Sequence, residues 1–246
     1  MIFKKELLTT AVLLALGSAA SALPSLQLGM PAADGTYDGS AGVETTIANG
    51  PVFDLDAYLF DSDPGNPQAN AGQFYLSMAL IGATGPGSFG SFTYDGNPVN
   101  VTADMISGTP SALGSHGIFP TYYFELLFDF TADTTVPAFN TADGSSAGGN
   151  MFKHTFSFDV SGLTGGAGVH FDLYGDVWTP GRGPNPGSYK QEFAPFSHDA
   201  ETGASSSSGG GPSSGEVPEP GTMSLIGAAV MLGSLTMSRR RRVARG

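Results

Sequence analysis

Apolar and polar residues alternate along five stretches of this chain. In Phe53-Asp54-Leu55-Asp56-Ala57-Tyr58-Leu59 the odd positions are apolar, and the even ones begin with two carboxylates. Phe74, Leu76, Met78 and Leu80 repeat the period of two, as do Phe124, Leu126, Phe128 and Phe130. Phe152, His154, Phe156, Phe158 and Val160 are interleaved with Lys153, Thr155, Ser157 and Asp159, and Val169, Phe171 and Leu173 begin a run that ends near Trp178. Side chains on an extended chain point alternately to its two faces, so each run predicts a strand with one face on a core and the other toward water. No stretch of the body carries a helical period. Between the runs lie Asp63-Pro64-Gly65-Asn66, Gly85-Pro86-Gly87, Asp95-Gly96-Asn97-Pro98, Ser161-Gly162 and Gly181-Arg182-Gly183-Pro184. Their glycines supply positive φ and their prolines preset a turn. The pattern predicts an all-β body of seven to nine strands, an antiparallel β-sandwich of jelly-roll type. Phenylalanine, with 17 copies, is its main source of core area.

The two ends break this pattern. Residues 1–22 open with Lys4 and Lys5, continue through an apolar stretch from Leu7 to Leu16, and close on Ala20-Ser21-Ala22. A positive n-region, a short h-region and small residues before a cleavage point make up a secretory signal peptide. The expected cut follows Ala22, with Ala20 as the second small recognition residue and Leu23 as the mature N-terminus. The competing reading, an apolar first helix of the body, leaves the small residues unexplained. At the other end, Ser224 to Met237 is almost wholly apolar and runs directly into Arg239-Arg240-Arg241-Arg242. As a helix, Gly221 to Ser238 spans about 27 Å, just short of a hydrocarbon core of about 30 Å. The arginines belong on the cytoplasmic side of a single transmembrane helix, so everything before it is translocated. Residues 204–216, rich in serine and glycine, form a flexible tether with nothing to bury.

Residues 23–203 thus form one body, long enough to bury a core. They hold 19 acidic side chains against Lys153, Arg182 and Lys190, so the body is more acidic than the whole-chain charge of −12 suggests. Such a surface repels nucleic acid, which is excluded as a partner. The absence of cysteine removes thiol catalysis and thiolate metal sites.

The tether leads into Val217-Pro218-Glu219-Pro220-Gly221-Thr222, then the apolar segment and the arginines. This three-part ending closely resembles the PEP-CTERM sorting signal, residues 217–246 here. The resemblance implies cleavage by the membrane protease-transpeptidase exosortase, in the setting of a Gram-negative bacterium that makes exopolysaccharide. The two prolines keep the box extended, as a protease needs. An ordinary membrane anchor with incidental prolines is the competing reading. In the body, Ala22-Leu23-Pro24-Ser25-Leu26-Gln27-Leu28, Gly35-Thr36-Tyr37-Asp38, Phe53-Asp54-Leu55-Asp56-Ala57-Tyr58-Leu59 and Phe193-Ala194-Pro195-Phe196-Ser197-His198-Asp199-Ala200 look like the choice-of-anchor N family. That resemblance implies an exported domain carried by one of several anchors and supplies no catalytic residues.

Candidate chemistry inside the body is sparse. Asp61-Ser62-Asp63-Pro64-Gly65-Asn66 gathers oxygen ligands, but Pro64 breaks the calcium-loop spacing, so turn chemistry is the stronger reading. His116, His154, His170 and His198 show no metal-ligand spacing. His154 reads as a hydrogen-bonded core residue, and His198-Asp199 as structural, because neighbours on an extended chain diverge. Tyr122-Tyr123, Tyr174, Trp178 and Tyr189 read as core packing before they read as a sugar platform. No catalytic residue, metal or cofactor is assigned, and the chain is read as not an enzyme. The function expected is structural or adhesive, in an exported protein that passes the inner membrane to the cell surface or biofilm matrix. Its partners are signal peptidase, exosortase and, for the body, exopolysaccharide. The alternatives are a carbohydrate-binding module and a hydrolase acting on matrix polysaccharide.

Overall fold

A computed structural model of the chain describes residues 23–40, 44–61, 71–82, 88–114, 116–181 and 187–203. Ala20, Ala22, the tether, the Pro218-Glu219-Pro220 box, Arg239 to Arg242, the expected transmembrane helix and most of the Asp61 to Asn66 turn lie outside these residues. Among the described residues no helix is long and apolar enough to cross a membrane.

The alternating runs become the long strands. These are β4 (Val52–Asp61), β5 (Phe74–Ile81), β9 (Thr121–Phe128), β11 (Ser146–Asp159) and β12 (Gly168–Thr179). Shorter strands complete two sheets. One is six-stranded, in the order β1 (Leu26–Gly29), β4, β11, β6 (Ser91–Tyr94) and β7 (Asn97–Asn100), with β10 (Thr134–Phe139) also paired to β11. The other is eight-stranded, in the order β2 (Gly35–Asp38), β3 (Thr45–Ala48), β14 (Asp199–Thr202), β12, β5, β9 and β8 (Ile106–Gly108), with β13 (Ser188–Phe193) also paired to β12. Among the described residues the helical content is one turn, α1 (Val101–Asp104), and a 3-10 turn at Phe196–His198.

Two expectations need correction. The described residues hold fourteen strands, not seven to nine. The sheets are also not wholly antiparallel: β14 runs parallel to β3, with Asp199 opposite Thr45 and Thr202 opposite Ala48. The miscount has a simple cause, because strands of three or four residues such as β2, β7 and β8 are too short to display a period. The Asp95-Gly96 turn, by contrast, behaves as its sequence demands. Both residues take positive φ, of 48° and 76°, and Tyr94 faces Asn97 across a two-residue hairpin between β6 and β7.

The two sheets meet over a phenylalanine-rich core. Phe74, Phe92, Phe130, Phe156, Phe158 and Phe171 are among the largest fully buried side chains. Phe158 of the smaller sheet stacks on Phe53 at 5.5 Å and meets Phe171 of the larger sheet at 4.8 Å, while Phe156 meets Phe128 edge to face at 5.1 Å. Such contacts add to the burial of large apolar area and lock the sheets in register. On β12 a Cβ at Gly175 would stand 2.6 Å from the Gln73 carbonyl oxygen and from Phe74 Cδ1, so only glycine lets the strands approach this closely.

The smaller sheet has a second covered layer on its far side. There Tyr58, Ala138 and Met151 pack with Leu23, the expected mature N-terminus, and with Phe139. Buried Gln27 donates through Nε2 to the Phe139 carbonyl at 3.3 Å and accepts from the Thr141 backbone N–H at 2.9 Å. Buried Asp56 accepts from Thr155 at 2.7 Å and from the Tyr58 hydroxyl at 3.0 Å, and pairs with Lys153 Nζ at 2.7 Å.

Phe158→Ala should destabilise the body by about 3–5 kcal/mol, the usual cost of emptying a buried phenylalanine site. Val52→Ala, at 65% exposed, should stay within about 0.5 kcal/mol. Equilibrium urea unfolding of both variants measures the contrast.

Candidate functional site

Alternation along β12 sends Val169, Phe171, Leu173 and Val177 into the core, and His170, Asp172, Tyr174 and Trp178 to the opposite face. That opposite face is covered, for residues 168–175 are all buried. Part of the cover comes from residues 116–120, just before β9, from which His116 reaches over the strand. His116 Nδ1 lies 2.8 Å from Asp172 Oδ1, and its ring meets the His170 ring edge to face at 4.9 Å. Phe119 then packs between the rings of His116 and Tyr123, 6.1 Å from each.

The neighbouring strand β14 supplies two more carboxylates. It pairs with β12 so that Glu201 faces His170 and Ala200 faces Phe171, which leaves Asp199 and Glu201 on the face of His170. His170 Nε2 is 3.6 Å from Asp172 Oδ1 and 3.6 Å from Asp199 Oδ2, and its Nδ1 is 3.5 Å from Glu201 Oε2. One donor atom from each of His116, His170, Asp172 and Asp199 lies within 4.8 Å of the others, a set able to hold a cation.

Burial and charge oppose each other here. Burial favours a neutral His170, but the charge of Asp172 and the contacts with Asp172, Asp199 and Glu201 outweigh it and hold its pKa well above the ordinary imidazole value. Burial pushes the Asp199 carboxyl up; its contact with His170 opposes that, and the charge of Asp172 reinforces it. Asp172 goes the other way, because His170 and His116 together overcome its burial and hold it below the usual carboxylate range. Among the described residues, buried Asp172 Oδ2 and His170 Nε2 have no hydrogen-bond partner.

This cluster escaped the sequence reading, which took the histidines as scattered. Two of the four converge. The available signal was His170-x-Asp172, two residues apart on a strand whose alternate positions are apolar, which places both side chains on one face. His154 lies where its strand face predicts, with its ring against Phe128 and Phe156 and Nδ1 2.9 Å from both oxygens of Asp133. His198 diverges from Asp199 and sets Nε2 2.9 Å from Asn140 Oδ1.

Of the aromatic residues, Tyr123 and Tyr174 are buried, as packing residues should be, while Tyr189 is 41% exposed. Tyr122 packs against the core, but Tyr123, Tyr174, Trp178 and Tyr189 lie on the far face of the larger sheet. Tyr75, Tyr174 and Phe193, on the adjacent strands β5, β12 and β13, stack in sequence at 5.1 and 5.6 Å, with planes 15° and 26° apart. The Tyr174 hydroxyl donates to Glu125. Trp178 meets Tyr189 edge to face at 5.1 Å. Rings stacked on one another cover their own faces, so this row lacks the flat platform that a sugar ring packs against.

Residues 216–242 match the PEP-CTERM protein-sorting motif. Among curated proteins and solved structures, none matches the chain. The match therefore supports the resemblance carried by Pro218-Glu219-Pro220 and the arginines, while the choice-of-anchor N resemblance of the body gains no support from these comparisons.

Asp172→Ala would strip His116 and His170 of the carboxylate between them. Breaking a buried charge pair costs about 3–5 kcal/mol, so the urea midpoint of the variant should fall well below that of the wild type. A loss under about 1 kcal/mol, within the range of an exposed ion pair, would show that the cluster is not a buried charged network.

Proposed function

We propose that this exosortase-sorted, exported chain is a structural or adhesive component of the cell surface or extracellular matrix. The observation that carries the reading is the motif match at residues 216–242, a sorting tail consistent with a membrane-bound intermediate on the way to the surface. The body suits such a role. Its phenylalanine-bridged sheets make a rigid unit, and its acidic surface keeps it soluble.

The alternatives fit less well. A hydrolase acting on matrix polysaccharide needs two carboxylates facing a cleft. Asp172 and Asp199 do converge, but their side chains are only 6% and 3% exposed and they share His170 between them. A carbohydrate-binding module needs exposed ring faces, and the row at Tyr75, Tyr174 and Phe193 stacks its own.

Replacing Pro218, Glu219 and Pro220 by alanine should leave export intact, since the signal peptide is untouched, yet leave the tail uncut in the inner membrane. Mass spectrometry of the cell-surface fraction reads the outcome. A variant displayed like wild type, or wild-type surface protein still ending at Gly246, would return the tail to an ordinary anchor. In the same cells, loss of the protein should weaken matrix cohesion while a glycan array probed with the purified protein stays blank. Binding on the array would favour the carbohydrate-binding alternative.

A further inference from the structure

The donor set at β12 has features that a network of protons and carboxylates does not need. Its atoms come from three separate places in the chain: His170 and Asp172 on β12, Asp199 on β14, and His116 on the segment before β9. They lie within 4.8 Å of one another. His170 Nε2 is 3.6 Å from both Asp172 Oδ1 and Asp199 Oδ2, close to the spacing of about 3.3–3.6 Å between ligands about 2.0–2.2 Å from a tetrahedral ion. The 2.8 Å between His116 Nδ1 and Asp172 Oδ1 would open by about 0.5 Å on binding.

His170 Nε2, which faces both Asp172 Oδ1 and Asp199 Oδ2, lacks a hydrogen-bond partner among the described residues, as does the second oxygen of Asp172, Oδ2. Asp172 Oδ2 and His170 Nε2 are both buried, and leaving such atoms unsatisfied is costly. A proton on His170 Nε2 would serve neither carboxylate well, because each oxygen is 3.6 Å away and a strong charge-assisted bond is under 3 Å. A cation between them would serve both. Behind the ring, His170 Nδ1 faces Glu201 at 3.5 Å. A carboxylate on the far nitrogen is the arrangement that fixes the tautomer of a metal-bound histidine and turns the other nitrogen to the ion.

We propose that His116, His170, Asp172 and Asp199 form a closed structural site for a divalent transition metal of the zinc class, clamping the segment before β9 onto the larger sheet. Two imidazoles with two carboxylates suit zinc or a neighbouring first-row ion, whereas calcium and magnesium prefer oxygen alone. Four protein ligands, with side chains 3–10% exposed, leave no open position for a substrate, which marks the site as structural. Glu201 is a positioning residue. The inference stands independently of the sorting reading, since it concerns only the body.

The test uses the untagged full chain, stripped with a chelator and titrated with zinc chloride against a chromophoric competitor. Metal retained after desalting is measured by plasma mass spectrometry, and X-ray absorption reads the ligand atoms. About one zinc per chain with nitrogen and oxygen ligands, together with a raised Tm, is expected. Glu201→Gln should weaken binding about 10–100-fold, and Asp199→Asn more. His154→Gln, outside the cluster, should bind as wild type. Wild-type protein that retains less than about a tenth of an equivalent would overturn the proposal without any variant having to fold. So would a calcium-induced rise in Tm matching that of zinc, or unchanged affinity in Asp199→Asn.

Discussion

The body is organised by one strand buried on both sides. In a sheet covered on both faces, strands ordinarily read as continuous apolar runs, and β12 instead alternates. Its core positions, Val169, Phe171 and Leu173, bind the sheets together, and its other positions place His170 and Asp172 under cover as well. Buried polar groups must find partners or destabilise the fold. The segment carrying His116 and the strand carrying Asp199 and Glu201 are held where they are by that requirement as much as by apolar contact.

Both sheets bury polar residues on their far faces, and the difference between the two is informative. On the smaller sheet the account closes. Each carboxylate oxygen of Asp56 has a donor, and the amide of Gln27 is bonded through both its nitrogen and its oxygen. A satisfied network of this kind contributes rigidity and a unique register. On the larger sheet atoms are left over at Asp172 and His170. The first network explains itself as architecture, while the second points beyond the protein's own atoms.

The long strands were legible because a period of two survives over six or more residues, as in Phe53 to Leu59 and Phe152 to Val160. The Asp95-Gly96 hairpin was legible because two consecutive positive φ angles demand that kind of residue. Strand number was not, since β2, β7 and β8 have no room for a pattern. Nor was the cluster. Periodicity tells which residues share a face, and it placed His170 with Asp172. It cannot tell that the face will be roofed, or that His116 and Asp199 will be brought to it from distant parts of the chain. Tyr174 meets the same limit: it is buried, as a packing residue should be, but on the face of β12 opposite Phe171 and Leu173.

The parallel pairing of β14 with β3 bears on the order in which the protein is completed. β14 lies between β3 and β12, so the larger sheet is split in two until the final strand of the body inserts. β14 is also the last strand of the described residues, so synthesis delivers every other strand before it. Because β14 also carries Asp199 and Glu201, closing the sheet and completing the cluster are a single late event. Until β14 inserts, His170 lacks the carboxylates of Asp199 and Glu201, and β2 and β3 have no backbone bonds to the rest of the larger sheet.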